Sequence, residues 1–467
     1  MKKKRMKTLV FLCVALVVLI GAYIAVTAYN ADTGQETPTN APEETTTILS
    51  LEGTVTELTV ESSEGILEFI QKDEVWTEKN NEGFLMKQPP LNSMAGVFAN
   101  LSATHVIEQN TENLSEYGLE NPQYTITAKT ADGKEAVLYV GMQNTITTEY
   151  YVYAKDVPGV YTVGTTSVNY FKRGLMDFAE LPSYPTLEEE GFLNIETTNK
   201  EEYLKAEMLE SSEYDLSGIL TWYVTAPFEH EYVAYTTRLD HLLEAVSGLS
   251  YNKAVAYKPG TAELEKMGLL KPEKEIAFSY KKTGKTEEDV EILDYHLYIG
   301  KEREEGDYYY VQEEGSDLVL LMNKAGVDEV MAYTAKDIVN QYFALINIDS
   351  VDTVEVVLDD SSKYEMAAPN SEDDDAKSEK LKDLYQSIIS IHAEKVIDSQ
   401  TENFKMLPLT ITFHRNVEPR TYTVQFAEYD TSYYLAIVDG EGIYLVNKRD
   451  YEQYCIDVKQ GFEGLGE

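Results

Sequence analysis

Cysteine is almost missing from this 467-residue chain, which has only Cys13 and Cys455. Cys13 lies in an apolar N-terminal run and Cys455 stands alone in the remainder. No disulfide within the chain can staple the larger part, so its stability must come from burial. Histidine is scarce too. The six (His105, His230, His241, His296, His392 and His414) show no zinc-finger or metalloprotease spacing, so no metal is expected. His241 and Glu244, one helical turn apart, read as a solvated pair. There is no Gly-x-Ser-x-Gly elbow, no phosphate-binding loop and no dinucleotide fingerprint, and no cofactor is expected. A Ser-His-Asp set assembled from distant positions stays open, because triads do not need sequence proximity. The run Glu372-Asp373-Asp374-Asp375 lacks the alternating ligands and the glycine turn of a calcium loop and reads as a solvated acidic loop.

Positive charge is the other shortage. Lys and Arg number 39 against 81 Asp and Glu, for a formal net charge of −42. Five of the basic groups (Lys2, Lys3, Lys4, Arg5, Lys7) precede the apolar run, which leaves 34 against 81 beyond it. A body this acidic repels nucleic acid, so no nucleic-acid partner is expected. Apolar material is ample at 43%, with 11% aromatic, which points to packed cores rather than disorder.

From Thr8 to Asn30 no residue is charged. A run of about 20 apolar residues is long enough to cross the roughly 30 Å hydrocarbon layer as a helix. The expectation is a basic cytoplasmic tail over residues 1–8, a transmembrane helix over 9–29 and an outward C-terminal region, with the membrane as partner of 9–29. The competing reading is a cleaved signal near Val26-Thr27-Ala28, although its apolar core would be unusually long. Lipidation fits poorly, because Cys13 lies near the start of the run. Residues 30–47, rich in Pro, Thr and Glu, read as a flexible stalk.

The outer region repeats itself. In the first copy a strand over Thr54–Val60 and a second short strand lead to Trp76. A Pro89-Pro90 break precedes a helix with Met94, Val97, Phe98 and Leu101 on one face. Then come Tyr117-Gly118-Leu119, Pro122, a strand over Tyr124–Ala128, an Asp132-Gly133 turn and strands over Val137–Gly141, Tyr150–Tyr153 and Val160–Val163. The second copy repeats the order through Trp222, a helix face of Leu239, Leu242, Leu243, Val246 and Leu249, Met267-Gly268-Leu269 and Pro272. Strands follow near Ile276–Tyr280, His296–Gly300, Tyr308–Val311 and Leu318–Met322. Leu138-Tyr139-Val140-Gly141 matches Leu297-Tyr298-Ile299-Gly300. The third copy, from Val351 onward with a helix through Leu381, Leu384, Tyr385 and Ile388, lacks both the tryptophan and the turn glycine. Ser167–Phe178 and Val327–Tyr342 read as helical connections. The fold class expected is α+β: an N-terminal transmembrane helix, then about three diverged repeats of antiparallel sheet plus one packed helix, over 48–182, 183–345 and a degenerate 346–467. Shared sheet and separate sheets are both compatible with this pattern.

Trp76, Tyr117, Gly118, Leu119, Pro122, Asp132, Gly133, Tyr139, Val140 and Gly141 together resemble bacterial proteins carrying domain of unknown function 4340. The likeness is best over about 48–165, fair in the second copy and poor in the third. It implies a membrane anchor, no established enzymatic activity and, for some members, association with ABC-type export systems. It supplies no functional residues.

Tyrosine is abundant, at 35 residues. Tyr150, Tyr151, Tyr308, Tyr309, Tyr433 and Tyr434 recur at one place in each copy. They are candidates for a partner-contact surface, because tyrosine offers an apolar face and a polar tip. Strand packing is the plainer explanation, with at least one tyrosine of each cluster facing outward. The function expected is a non-enzymatic, membrane-anchored extracytoplasmic binding or scaffold protein, an accessory to an ABC-type transporter or cell-envelope complex. A cell-wall or glycan binder and an unrecognised extracytoplasmic hydrolase are the alternatives.

Overall fold

The structure, a computed structural model, describes residues 46–465 apart from 82, 110–112, 186, 188–190, 210–221, 285–289, 370–374 and 401–403. The expected membrane span, most of the stalk and Glu372–Asp374 therefore lie outside the described residues. Among the described residues no helix is long and apolar enough to cross a membrane. The architecture is α+β, with antiparallel sheets throughout. Two compact units divide between Arg173 and Gly174.

The first unit opens with β1 (Thr47–Leu49), so the end of the expected stalk belongs to the folded body. It continues with β2 (Val55–Ser62), β3 (Gly65–Lys72) and β4 (Val75–Glu78). Helix α1 (Gln88–Ala99) buries Leu91, Met94, Val97 and Phe98, residues spaced three and four apart. Pro89 and Pro90 do not break the chain before this helix. They occupy its first turn, where a missing N–H costs nothing. Next come β5 (Leu101–Ser102), β6 (His105–Glu108), β7 (Tyr124–Thr130), β8 (Glu135–Gln143), β9 (Tyr150–Ala154), β10 (Val157–Val163) and the short helix α2 (Thr165–Asn169). β1 pairs with β5, and the main sheet runs β4-β3-β2-β7-β8-β9-β10-β6.

The second unit holds two further sheets. The first is built from β11 (Phe192–Asn199), β12 (Glu202–Met208), β13 (Trp222–Ala226), β14 (Tyr232–Val233), α3 (Thr236–Ser247), β15 (Tyr251–Tyr257), α4 (Thr261–Met267), β16 (Lys274–Thr283), β17 (Val290–Glu302), β18 (Tyr308–Glu313) and β19 (Leu318–Asn323). Its order is β14-β13-β12-β11-β16-β17-β18-β19-β15. Two short helices follow, α5 (Lys324–Met331) and α6 (Ala335–Ile338). The last sheet uses β20 (Val351–Val357), β21 (Lys363–Ala367), α7 (Asp375–Ile389), β22 (Lys395–Gln400), β23 (Met406–Arg415), β24 (Thr421–Glu428), β25 (Tyr433–Val438) and β26 (Glu441–Asn447), and ends in α8 (Lys448–Leu465). Its order is β21-β20-β23-β24-β25-β26-β22.

Each copy thus has a sheet of its own, and the strand orders superimpose. The third sheet lacks the tryptophan and, among the described residues, has no counterpart of the strand that β4 and β13 supply. Helix α8 is correspondingly long. Phe462 stacks on Tyr364 of β21 at 4.8 Å between ring centroids, and Tyr451 and Lys459 bond Asp359 and Asp360 in the β20–β21 turn at 2.7 Å each. Burial, with those two carboxylates nearby, pushes the half-buried Cys455 thiol up to about 12. The strand after each helix (β6, β15, β22) has no clean apolar alternation and pairs at the far edge of each sheet, so periodicity does not mark it.

The second and third sheets are joined within the second unit. Residues 338–340 bond to β14 and Tyr235, through Asn340 N–H to Val233 O at 2.8 Å and Tyr235 N–H to Ile338 O at 2.6 Å. Tyr232 Oη donates to Glu441 Oε2 at 2.6 Å, and Glu441 is only 4% exposed. Burial, then the Glu441 carboxylate, holds the Tyr232 hydroxyl far above its ordinary range. Tyr232→Phe would leave this buried carboxylate without its donor. The expected loss is about 1.5–3 kcal/mol, seen as a lower urea midpoint for the second unit with the first unit unmoved. An unchanged midpoint would show that this contact does not stabilise the unit. Residues 174–182, grouped by sequence with the first copy, belong to this second unit.

Candidate binding surface

None of the six candidate tyrosines is exposed. Tyr150 and Tyr309 are 4% and 6% accessible, and Tyr151, Tyr308, Tyr433 and Tyr434 are half-buried. The alternation of a strand places Tyr150 and Tyr309 inward and their neighbours outward. The inward pair cannot form a contact surface, because both serve a packing device that recurs in all three sheets. Register sets Tyr150 opposite Val163, Tyr309 opposite Met322 and Tyr434 opposite Val446. Two residues beyond Met322 and Val446 stand Lys324 and Lys448, the first residues of α5 and α8. Their ammonium groups lie over the Tyr309 and Tyr434 rings, 5.2 and 4.6 Å from the centroids. In the first sheet Lys172, just after α2, takes this part at 4.3 Å from the Tyr150 ring and bonds its hydroxyl. Tyr309 also donates to Asp328 at 2.8 Å and accepts from Lys274 at 3.0 Å. Tyr151 packs on Tyr117 at 5.0 Å, and Tyr433 donates to Glu394 at 2.9 Å.

A concave surface rich in polar groups lies elsewhere, across β11, β16, β17 and β18. Ile195, Ile276, Phe278 and Leu297 are buried on one face of this sheet. The residues alternating with them line a groove of about 460 Å³ containing Asn194, Glu196, Ser279, Asp294, His296 and Glu314, with Ala277 as its small floor residue. The polar groups are wired together. Ser279 Oγ donates to Asp294 Oδ1 at 2.6 Å and accepts from Asn194 Nδ2 at 2.9 Å. His296 Nε2 meets Glu275 at 2.9 Å, its Nδ1 lies 3.9 Å from Glu314, and its ring packs on Tyr298 at 4.5 Å. Burial, with the Glu314 carboxylate second, raises the Tyr298 hydroxyl above its usual range.

This groove gathers a histidine, a carboxylate and a hydroxyl, the three groups a hydrolase needs. Their wiring differs from a nucleophile's, however. Ser279 donates its proton to Asp294 and His296 is turned to Glu275, whereas an attacking serine donates to the imidazole. Held this way the groove is a set of fixed donors and acceptors with acidic character, suited to a polar or cationic ligand.

The other histidines also sit beside carboxylates or rings. His105 meets Glu149 at 3.0 Å, His414 meets Glu355 at 3.3 Å, His230 lies 4.0 Å from Glu441, and His392 packs on Tyr342 at 5.1 Å. His241 and Glu244 line a hollow with Gly326, Glu329 and Tyr333. Desolvation pushes the Glu149 carboxyl up, but bonds from Thr162 and His105 outweigh it and leave the group below its usual range. Among the described residues no three His, Cys, Asp or Glu side chains come together as a metal site would.

Three antiparallel sheets of one strand order, each with a helix over the buried face, define a tandem α+β protein. The chain belongs to the family of domain of unknown function 4340, whose model matches residues 76–250 and 222–374. Both matches begin at a tryptophan, Trp76 and Trp222, and the first runs through α3 of the next sheet. Each match thus starts inside a sheet, two strands after the sheet's first in chain order. No curated protein and no solved structure matches the chain.

Proposed function

We propose that this is a non-enzymatic, membrane-anchored extracytoplasmic binding protein, a scaffold accessory to an ABC-type transporter or cell-envelope complex. The anchor comes from the apolar run at 9–29 and the transporter link from the family resemblance. The observation that supports binding is the groove beside His296, open to solvent and lined by fixed polar groups. A pull-down of the tagged full chain from solubilised membranes tests it. The expected result is a membrane or envelope partner whose recovery falls roughly tenfold, about 1.4 kcal/mol, for Asp294→Lys. Recovery of no such partner would sink the proposal.

A glycan-binding reading is favoured by the amide, hydroxyl and carboxylates of the same groove. It predicts retention on purified peptidoglycan, lost on Asn194→Ala and reduced on Tyr308→Ala; a chain that stays in solution rules it out. Tyr309→Ala is no test of either reading, because it empties a core position.

A further inference from the structure

The strand that follows each helix can be aligned residue by residue. His105 pairs with Thr162, Lys253 with Leu321 and Lys395 with Leu445. Each partner stands one residue before the position opposite a lysine-capped tyrosine. This makes Val106-Ile107-Glu108 equivalent to Ala254-Val255-Ala256 and to Val396-Ile397-Asp398.

In two of the sheets this edge strand has a cover. The 3-10 turn Leu175–Phe178 lies on β15, with Lys253 bonded to Asp177 at 2.9 Å. Helix α6 lies on β22, with Lys336 bonded to Asp398 at 2.9 Å. The two covers share a pattern, Gly174-Leu175-Met176-Asp177-Phe178 and Thr334-Ala335-Lys336-Asp337-Ile338. In both, the aspartate accepts the N–H of the first residue, at 3.0 and 2.9 Å, and the apolar residue after it is buried, at 1% and 0% exposure. Ala254 under the first cover is fully buried, and Val255, Val396 and Ile397 are half-buried.

β6 is exposed along its whole length, and Val106 and Ile107 are 40% and 38% accessible. An uncovered apolar edge strand is a pairing hazard that proteins ordinarily mask. The chain before β1 is poorly suited to mask it. Gln341 O accepts from Ala393 N, and Thr46 O accepts from the equivalent Ala103 N. Because α6 ends three residues before Gln341, the matching cover would fall near residues 40–43. The stretch 31–45, ADTGQETPTNAPEET, contains no Val, Ile, Leu, Met or aromatic residue. It has nothing to put where Phe178 and Ile338 sit.

We propose that β6 is a docking edge for another protein, which supplies the missing cover as a capped turn of the form Gly/Ser/Thr-x-x-Asp-apolar. The apolar side chain covers Val106 and Ile107. A lysine or arginine just before the aspartate reaches the carboxylate of Glu108, which also accepts from Tyr117 Oη at 2.8 Å, as Lys336 reaches Asp398, which suits a partner of opposite charge to this acidic chain. The edge deepens the binding reading above, to which it adds a second, separate surface.

Photo-crosslinking in the membrane-embedded full chain tests it. Benzoylphenylalanine is placed at Ile107 and, as a control, at Ile66 on the same sheet, 59% exposed. The expected result is an adduct at Ile107 and not at Ile66. Its mapped peptide comes from another protein, carries the capped-turn pattern, and falls roughly tenfold with Glu108→Lys, about 1.4 kcal/mol. Val106→Ser, at an exposed position where folding is unaffected, should weaken the same adduct. An adduct to residues 31–45, an adduct to a second copy in a mixed-isotope sample, equal labelling at both sites, or no adduct would each overturn it. If the pull-down finds a partner lost on Asp294→Lys while Ile107 stays unlabelled, the docking edge fails and the binding function stands. A mapped Ile107 adduct unaffected by Asp294→Lys would keep the edge and remove the groove.

Discussion

Trp76→Ala is expected to destabilise the first unit by about 3–5 kcal/mol, the range for truncating a buried large aromatic. Trp76 is 1% exposed and joins three things at once. Its ring fills the space between the sheet and α1, and its indole N–H donates to Asn92 Oδ1 at 2.9 Å. Its backbone is held by Gln88, which accepts from Trp76 N–H at 2.7 Å and donates to Trp76 O at 3.2 Å. Gln88 thereby occupies the outward hydrogen-bonding groups of the edge strand β4, which would otherwise recruit a stray strand. In the second sheet the backbone does this job, with Ala234 N–H on Trp222 O at 2.9 Å. Trp222 is half-buried, so Trp222→Ala should cost less. For a unit of this size the Trp76 loss corresponds to a drop on the order of 10 °C in melting temperature. Calorimetry of the outer region should show the first unit's transition falling alone, and a fall under 2 °C (below roughly 1 kcal/mol) would refute the keystone role.

Gly141→Ala and Gly300→Ala are the second pair with a large expected effect. Neither glycine has an unusual φ. A methyl on Gly141 would stand far inside contact distance of Tyr117 O, and one on Gly300 would do the same to Met267 O, with Leu119 and Leu269 crowding behind. A backbone carbonyl cannot swing away as a side chain can, so the strand or the turn must move. Overpacking of this kind costs about 1–3 kcal/mol, and the upper end applies where the obstacle is backbone. Urea midpoints should fall in the first unit for one variant and in the second for the other. Gly→Ala at Gly164, which has open space around it, is the matched control. Equal midpoints for all three would show that the close approach is not needed.

These glycines explain why two motifs travel together. Tyr117-Gly118-Leu119 is a turn closed by Gly118 at φ 69°, and Met267-Gly268-Leu269 is closed by Gly268 at 76°. Left-handed backbone favours glycine there. The strand-end glycine of the Tyr-Val-Gly and Tyr-Ile-Gly motifs is the surface against which that turn lies. β24 of the third sheet contains no glycine, and the turn glycine is missing there too. The third sheet thus has neither half of this contact, a pairing the sequence displays without giving its reason.

Local chemistry made much of the fold legible. Apolar residues three and four apart mark Leu239, Leu242, Leu243 and Val246 as a helix face, and alternation marks the long central strands. Turn glycines mark their ends. These signals depend on neighbours within a few residues, so the third copy shows them without a tryptophan. Pro89-Pro90 is ambiguous in sequence, because a proline pair suits both a break and a first helical turn. Alternation predicts that one tyrosine of a cluster faces inward, but not that Tyr150, Tyr309 and Tyr434 are capped by lysines, because Lys172, Lys324 and Lys448 come from other elements. The groove was not legible, since Asn194, Ser279, Asp294 and Glu314 meet only when four strands lie side by side.

By itself the sequence determined an α+β chain of antiparallel strands in three recurrences, because periodicity and turn geometry are properties of short segments. Only the tertiary structure decided that each recurrence closes its own sheet and that Tyr232 and Glu441 join the last two. It also decided that Tyr150 and Tyr309 point inward and that, among the described residues, β15 and β22 are covered while β6 is exposed. Each of these depends on which distant segments pair, and strand pairing is settled by the burial of whole faces rather than by any residue's neighbours in the chain.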